Sequence, residues 1–185
     1  MNKSLKRLFS IAGKEKRTII GLMSGTSLDG LDIALCEFTG HGTDTRITLR
    51  KFDTMAYSAD FKQDVKAIFS KRQVDLEKVC LMNAYIGRFH ADLINQCLQN
   101  WGVKPEEVDV IASHGQTIYH APALLHGISG MPDATLQIGD GDHIAVKTGI
   151  ITLSDFRQKH IAAGGEGAPL AVYGDYLLFS EKEQN

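Results

Sequence analysis

The sequence predicts an α/β fold in which a mixed sheet has helices on its faces, and two features support this class. Three short apolar segments follow one another near the start of the chain, at 18–25, 31–38 and 47–57, separated by turn-rich stretches typical of consecutive strands. Beyond them, helix-like segments and further apolar strands alternate. Consecutive strands followed by alternating strands and helices indicate a sheet covered by helices.

The helical segments have recognisable start and stop signals. The stretch 58–72 opens with Ser58 in a capping position and spaces its apolar residues along one face, and a longer helix is expected from about Asp75 to Trp101, where Gly102 ends it. A buried strand at 108–113 follows. The remaining segments predict a strand, glycine turn and short helix over 135–149, a strand over 150–156, a glycine-rich loop over 162–169 and a terminal helix over 169–185 with a charged end.

Length and charge limit the classes of partner. The 185 residues suffice for one hydrophobic core, and there is no repeat, low-complexity tract or linker, so we predict one domain. The formal net charge is only −2, which gives no field that would gather nucleic acid or an anionic membrane. No apolar run is long enough to span a bilayer. A small-molecule partner is therefore expected.

The first residues and the cysteines indicate the cellular compartment of the protein. Residues 1–17 are basic with an apolar patch too short for a secretion signal, so we predict a solvated, flexible extension ahead of a domain over 18–185. Cys36, Cys80 and Cys97 have no C-x-x-C spacing, and we expect three buried thiols in a reducing cytosol. These features predict a cytoplasmic protein.

A first candidate site lies between the first two strands, in the sequence GLMSGTSLDGLD at 21–32. Glycines let a main chain approach a phosphate closely, and the hydroxyls of Ser24, Thr26 and Ser27 can donate hydrogen bonds to it. Asp29 and Asp32 could hold a hydrated magnesium ion. Composition leaves open the alternative of a β-hairpin turn in which Asp and Gly serve turn geometry alone.

Two further candidate clusters also follow predicted strands. SHGQT at 113–117 offers directional hydrogen bonds to sugar hydroxyls, although a histidine at 114, taken alone, is more often one whose hydrogen bonds the fold satisfies. SDFR at 154–157 ends in an arginine suited to a carboxylate or phosphate, or to an ion pair that stiffens the loop. His120, His126 and His143 lack the spacing of metal ligands. A single sheet could bring all three clusters to one rim.

Taken together, GLMSGTSLDGLD, SHGQT with the nearby His120, QIGD, DFR and GGEGAPL, in that order, resemble the anhydro-N-acetylmuramic acid kinase family over residues 19–179. The resemblance implies a ribonuclease-H-like βββαβα lobe of the actin/hexokinase-like superfamily, in which two lobes bind ATP and a sugar between them. Family members use ATP and Mg²⁺ to open the 1,6-anhydro bond of anhydro-N-acetylmuramic acid with water and to phosphorylate its 6-oxygen. The product, N-acetylmuramic acid 6-phosphate, belongs to peptidoglycan recycling and amino-sugar catabolism.

The resemblance also assigns site residues. It implies an ATP- and phosphate-binding loop formed by Gly25, Thr26, Ser27, Leu28, Asp29, Gly30, Leu31 and Asp32, with Asp29 as the magnesium candidate. It implies a substrate pocket lined by His114, Gln116, Gln137, Arg157, Gly164, Gly165, Glu166 and Gly167, in which Arg157 meets the lactyl carboxylate. No catalytic residue is assigned, because the family's general-base aspartate lies in a later G-x-D-x-G-P-G motif that does not occur in this sequence.

Two departures from the family pattern limit the activity that we expect of this chain. The sequence holds one lobe, and His160 stands where the family usually has aspartate after DFR. We therefore expect the isolated chain to be inactive as an enzyme, with a non-catalytic sugar- or phosphate-binding lobe as the alternative and an actin-like assembly unit as a reading supported by fold analogy alone. The assembly partner is expected to be a second copy or a second-lobe polypeptide, because a lone lobe exposes surface that its partner covers.

Overall fold

The computed structural model describes residues 2–168 and 170–179, which form a six-stranded mixed sheet flanked by helices. The strands are β1 (Lys16–Ser24), β2 (Gly30–Thr39), β3 (Arg46–Ala56), β4 (Val110–Ala121), β5 (Ala134–Ile138) and β6 (Thr152–Ser154). The helices are α1 (Lys3–Ala12), α2 (Ala59–Ile68), α3 (Leu76–Trp101), α4 (Ala123–His126), α5 (Gly141–Thr148), α6 (Phe156–Ala162) and α7 (Leu170–Phe179). The mixed α/β class predicted from the sequence is confirmed.

Strand β4 organises the sheet, whose order is β3-β2-β1-β4-β5. The first three strands pair antiparallel with their neighbours, whereas β4 lies parallel to β1. The first part of β4 also pairs parallel with β6, and its later part pairs antiparallel with β5. Residues from β1, β5 and β6 are therefore placed beside the SHGQT segment of one strand.

The core lies between the sheet and helices α2 and α3. Ser58 caps α2 by accepting a hydrogen bond from the Phe61 amide, and Asp75 caps α3 in the same way. Helix α3 ends at Gly102, whose φ of 67° suits glycine. The fully buried side chains of these elements include Phe61, Ile86 and Ile94. Burying each such side chain contributes about 2 kcal/mol to the free energy of folding.

The predicted strands and the helices α2, α3, α5 and α7 occur in the predicted order, whereas α1, α4 and α6 were not predicted and β4 is longer than expected. The expected strand at 108–113 continues through SHGQT to Ala121, because β5 supplies hydrogen-bond partners for the later half. Gly115 interrupts the regular geometry with a φ of 71°. A side chain there would clash with the backbone of β5, since a Cβ would come within 2.7 Å of the Ile138 carbonyl oxygen. The second cluster thus lies within a strand rather than after one.

Residues 3–12 form helix α1, which differs from the solvated, flexible extension expected over 1–17. Ile11 is buried, and the Arg7 guanidinium donates hydrogen bonds to the carbonyl oxygens of Val108 and Gly149. Lys14 forms a salt bridge with Asp109. The sequence pattern missed these contacts because their partners lie about a hundred residues away along the chain. Strand β1 begins at Lys16, inside the expected extension.

The cysteine prediction was wrong for Cys80, which is exposed on α3, whereas Cys97 is buried and Cys36 is partly buried. Cys80 faces solvent because it lies on the outer face of α3 with the exposed Leu76 and Leu81, while Val79 and Met82 pack on the core. The predicted terminal helix is present as α7, while the charged segment 180–185 lies outside the described residues. Across residues 2–168 and 170–179, no helix combines the length and apolarity needed to cross a bilayer.

Candidate functional site

The three candidate clusters meet on β4. Ser24, at the end of β1, lies opposite Gln116, and its hydroxyl donates a hydrogen bond to the Gln116 side-chain oxygen. The Arg157 guanidinium of α6 donates through Nε to His114 Nε2 over 2.9 Å. The loop after β1, the middle of β4 and the start of α6 are thus joined by direct side-chain contacts.

The loop after β1 divides into exposed and buried residues. Thr26, Ser27 and Asp29 are exposed, so their side chains are free to contact a ligand. Leu28 is buried in the core although its φ is 58°, and its amide donates to the Gly25 carbonyl oxygen, which closes the turn. The buried leucine fixes the loop to the core and leaves the hydroxyls and carboxylate on the outer side.

The last three residues of the predicted phosphate-binding segment have roles in the sheet. A Cβ at Gly30 would come within 2.6 Å of the Met55 carbonyl oxygen, so glycine permits the close approach of β2 and β3. Leu31 is fully buried. Asp32 accepts a hydrogen bond from the Thr54 hydroxyl of β3 over 2.7 Å. A ligand can therefore reach fewer residues than the predicted phosphate-binding segment contains.

His114 and Arg157 form a pair whose hydrogen bonds define its chemistry. Because Arg157 Nε can only donate, His114 Nε2 is the acceptor, and the ring proton is on Nδ1, which donates to the Gly115 carbonyl oxygen over 3.0 Å. Burial lowers the pKa of His114, the adjacent guanidinium lowers it further, and the bond to Gly115 partly opposes these effects. His114 is thus a neutral acceptor that orients the arginine.

The arginine keeps donors free for a ligand. Only Nε of Arg157 is used within residues 2–168 and 170–179, so the two terminal nitrogens have no acceptor there. Burial lowers the pKa of the guanidinium, which nevertheless stays charged near neutrality. A planar guanidinium with two free nitrogens matches a carboxylate or phosphate.

The two predicted glutamines differ in accessibility. Gln116 is fully buried, and its amide nitrogen donates to the Thr117 carbonyl oxygen while its oxygen accepts from Ser24, so it joins strands and is not open to a ligand. Gln137 donates to the Thr135 hydroxyl over 2.7 Å. Its side-chain oxygen is buried without a partner among the described residues. Gln137 therefore has an acceptor to offer.

His114 and Gln137 line a polar cavity of about 310 Å³ between β4, β5, α5 and β6. Sequence reasoning missed Asn83 and Asp142 of its lining, whereas Ser113, Asp140 and Asp155 belong to the SHGQT, QIGD and SDFR motifs but had been given no contact of their own. The Ser113 hydroxyl is fully buried and makes no hydrogen bond within the described part of the chain. Donors, acceptors and carboxylates facing one small cavity are the groups that bind sugar hydroxyls.

Asn83 holds the turn that forms one wall of this cavity. Its side-chain oxygen accepts from the Gly139 amide over 2.9 Å, and its backbone oxygen accepts from the Asp140 amide. The sequence around Asn83 gives no signal for this role, because the turn that Asn83 contacts lies more than fifty residues later in the chain. The QIGD segment is thereby fixed against α3.

The predicted glycine segment lies beside the cavity but does not line it. His160 Nδ1 accepts from the Gly167 amide over 2.9 Å, and the His160 ring lies so close to Gly165 that a Cβ there would clash with it. Gly164 has a φ of 88°, and Glu166 is exposed. The His160 imidazole therefore shapes this loop. Pro169 lies outside the described residues.

A second buried polar cluster, missed by sequence reasoning, extends from Gln116 and Ser24 to Tyr57 and His90. The Tyr57 hydroxyl lies 2.8 Å from Ser24 Oγ and 3.0 Å from His90 Nε2. Burial raises the pKa of Tyr57 and lowers that of the fully buried His90 to about 4. Both side chains are therefore neutral near pH 7.

No group of three or more His, Cys, Asp or Glu side chains is arranged to hold a metal ion within residues 2–168 and 170–179. Asp29 is exposed at the loop after β1, whereas Asp32 is turned toward Thr54. A single exposed carboxylate is compatible with magnesium, which commonly binds through one or two carboxylates together with water and substrate phosphates.

The fold and site define an α/β protein with a polar cavity beside the central strand β4. Comparison with known sequences identifies the family. The model of the anhydro-N-acetylmuramic acid kinase family matches residues 17–185. The chain belongs to this family, and the resemblance seen in its motifs is confirmed.

Three curated relatives, all named anhydro-N-acetylmuramic acid kinase, show the extent of the similarity. The protein of Pseudoalteromonas atlantica is 60% identical over 185 residues, which are 100% of this chain and 46% of the relative. The Pseudoalteromonas translucida protein is 57% identical over the same shares. That of Caldanaerobacter subterraneus is 41% identical over 175 residues, 95% of this chain and 44% of the relative. The chain spans about half the length of the curated relatives it matches.

Proposed function

We propose that this chain is the N-terminal lobe of an ATP-dependent kinase that opens 1,6-anhydro-N-acetylmuramic acid with water and phosphorylates its 6-oxygen. The observation that carries the proposal is the His114–Arg157 pair next to a polar cavity, joined through β4 to the exposed loop after β1. The names of relatives that match the whole chain support the substrate and the role in peptidoglycan recycling. A cytoplasmic location follows from the same proposal.

The proposed architecture is a ribonuclease-H-like lobe of the actin/hexokinase-like superfamily over residues 18–185. Three antiparallel strands, then helices, then β4 parallel to β1 support it, because this is the order expected for the βββαβα core. Residues 1–17 are proposed as an addition to that lobe, in which α1 packs through Arg7 and Ile11.

The proposed substrate contacts begin with Arg157. Its two free terminal nitrogens would bind the lactyl carboxylate of the sugar, and His114 would hold the guanidinium in position as a neutral acceptor. Gln137 and Ser113, each with a buried oxygen that lacks a partner in the described residues, would meet hydroxyl or amide groups of the sugar. Gly164, Gly165, Glu166 and Gly167 would form the border of the pocket, and Gln116 would support it from the core.

The proposed nucleotide contacts lie in the loop after β1. Thr26 and Ser27 would donate hydrogen bonds to ATP phosphates, and Asp29 would hold a hydrated Mg²⁺. The ion, when bound, would neutralise charge on the phosphates during transfer. Leu28, Gly30, Leu31 and Asp32 would keep the loop in position through the core and β3.

Phosphoryl transfer requires both reactants to be held in line, and the family's general base belongs to a segment that does not occur in these residues. We therefore expect the 185-residue chain alone to release no ADP. The test is a coupled ADP-release assay with anhydro-N-acetylmuramic acid, ATP and Mg²⁺, run with and without the separately expressed C-terminal half of the Pseudoalteromonas atlantica relative. Activity only on mixing supports the proposal.

A matched control for this assay is the mixture in which Arg157 is replaced by alanine, which should reduce kcat/KM while leaving the association of the two halves intact. If the native mixture forms a complex that binds both ATP and the sugar yet releases no ADP, the kinase proposal is wrong. If the mixture releases no ADP and the two halves form no complex, the assay is repeated on a single chain. In that chain the relative's second half is fused to this one.

A second candidate function is a binding lobe without catalysis. The cavity favours it, because the described residues form polar walls around a cavity of about 310 Å³. Calorimetric titration of the sugar into the chain tests it. Saturable binding that depends on Arg157, in a chain that stays inactive with a second half, would support this function.

Assembly is also part of the proposal. Helix α7 exposes large apolar side chains such as Val172, Tyr173 and Phe179, and exposed apolar surface favours association. The partner is proposed to be a second copy or a second-lobe polypeptide. Light scattering should show a mass that rises with concentration, and a monomer throughout the concentration range would contradict homodimer formation.

A further inference from the structure

A second cavity, of about 760 Å³, lies along β4 at a distance from the proposed sugar site. It is enclosed by the segment after α2, the end of β4 and the connection between β4 and β5, and it shares no lining residue with the polar cavity. His120 of this cavity lies about 20 Å along the strand from His114. The two cavities are therefore separate.

One side of this second cavity is basic. Lys71 and Arg72 line it, and no carboxylate is among its lining residues. Neither cation forms a salt bridge within residues 2–168 and 170–179. Two cations without a nearby carboxylate attract an anion, and the partly enclosed wall reduces screening by solvent.

His120 adds a buried polar atom on the same cavity. Its Nδ1 is shielded from solvent and has no hydrogen-bond partner in the described residues. A polar nitrogen without a partner favours a bound group that supplies one. His120 therefore belongs to the polar side of the cavity.

The opposite side is apolar. Leu125, Ile128 and Met131 line the cavity, and each is more than half exposed. Exposed apolar side chains that surround a concave surface are typical of a binding site.

The loop that presents these side chains is held in place. His126 Nδ1 accepts from the Ile128 amide over 2.9 Å, and its Nε2 donates to the Pro132 carbonyl oxygen. The Asp133 carboxylate accepts from the Ala123 amide over 2.6 Å. Because side chains within the loop form these hydrogen bonds with its backbone, the apolar side of the cavity is formed in the absence of a ligand.

We propose that this cavity binds a small amphiphilic anion, namely a carboxylate or phosphate ester attached to an apolar body. Lys71, Arg72 and His120 contact the head group, and the apolar body packs on Leu125, Ile128 and Met131. The charge of the cavity selects an anion, and the separation of its basic and apolar sides selects an amphiphile. The described residues of this chain form the whole lining of the proposed site.

The test is an NMR titration of the methyl-labelled 185-residue chain with octanoate, octyl phosphate and, as the charge control, octylammonium. Saturable shifts are expected at the methyl groups of Leu125, Ile128 and Met131 with either anion, and not with octylammonium or acetate at equal concentration. The tighter of the two anions identifies the head group.

Variants distinguish the proposed site from general apolar binding. The double substitution Lys71→Glu and Arg72→Glu should weaken octanoate binding about tenfold or more, because it reverses both charges at the head group. The matched control, Lys3→Glu with Lys6→Glu, makes the same change in net charge at exposed positions of α1 and should leave the affinity unchanged. His120→Phe keeps a ring but removes the free nitrogen, and should also weaken binding.

Three results would overturn the proposal: no saturable shift with either anion, equal shifts with octylammonium, or shifts confined to the polar cavity or to α7. Retained dispersion of the amide spectrum shows that each variant is folded. If the double variant does not fold, His120→Phe decides the question alone. The outcome is independent of ADP release, so failure here leaves the proposed kinase function untouched.

Discussion

Two polar clusters contain residues of β4 and differ in their access to solvent. His114 and Arg157 contact each other at the edge of a cavity, and the arginine keeps two nitrogens free. Ser24, Gln116, Tyr57 and His90 form a continuous set of contacts inside the core. Burial lowers the pKa of both His90 and His114, so the direction of the pKa shift does not distinguish the two clusters. What separates them is access to a ligand.

This difference predicts opposite effects of mutation. Removing a group from the sealed cluster leaves a buried donor or acceptor without a partner and lowers stability. Removing a group from the open pair leaves polar atoms that water can reach, so binding suffers and stability does not. Each of the following measurements would break or sharpen this contrast.

The largest expected effect is on the pH dependence of stability. The pKa of His90 is about 4 in the folded chain and about 6.5 when unfolded, so the unfolded state binds more protons between these values. Stability is therefore full above about pH 6.5 and falls by about 3 kcal/mol as the pH decreases to 4. Urea unfolding at several pH values should show this loss.

His90→Phe is the comparison for this measurement. It keeps an aromatic ring in the core but cannot take up a proton, so its stability should fall less between pH 6.5 and 4 than that of the native chain. Identical slopes for the two proteins over that range would show that His90 is not buried and neutral in the folded state.

The next largest effect is expected for Gln116→Leu. This substitution removes the acceptor for the Ser24 hydroxyl and the donor to the Thr117 carbonyl oxygen, while the leucine fills most of the volume. We expect a loss of about 2 kcal/mol in the free energy of unfolding. Chemical denaturation checks it, with Gln137→Leu as the matched control, because Gln137 faces the open cavity and should lose less stability.

Tyr57→Phe should have a smaller effect. The Tyr57 hydroxyl joins Ser24 to His90, and its removal leaves the Ser24–Gln116 contact in place. A loss of about 1 kcal/mol is expected, because one hydroxyl disappears and one buried nitrogen of His90 loses its partner. A double-mutant cycle with Gln116→Leu should show non-additivity, which would be absent if the two residues did not belong to one cluster.

The sequence predicted the fold class and the order of the strands and main helices because short-range patterns determine them, whereas α1, α4 and α6 were not predicted. The capping residues Ser58 and Asp75 and the terminating Gly102 are local signals, and the structure has them in these roles. Of the candidate site residues, Ser24, His114, Gln116, Gln137 and Arg157 have side-chain contacts around β4, but their burial could not be read from the sequence. Gln116 and Leu28 belong to motifs that suggest ligand contact, yet tertiary packing places them in the core.

The residues that sequence analysis missed share one property: their partners are distant along the chain. Asn83 contacts a turn beyond β5, and His90 reaches Tyr57 across the core. Neither contact has a periodic or motif signal. Helix α1 was missed for the same reason, since Arg7 and Lys14 find their partners about a hundred residues later.

The smallest expected change in stability, and the clearest contrast, belongs to Arg157→Ala. Its guanidinium contacts His114 at the cavity, and the freed His114 nitrogen can be solvated there, so the free energy of unfolding should change by about 0.5 kcal/mol or less. Sugar binding, followed by calorimetry, should weaken at least about tenfold, because the bidentate donor is lost. Arg157→Lys should restore little, since an ammonium lacks the planar fork. If Arg157→Ala instead destabilised the chain as much as Gln116→Leu while binding stayed intact, the open pair would belong to the fold and the proposed carboxylate contact would be wrong.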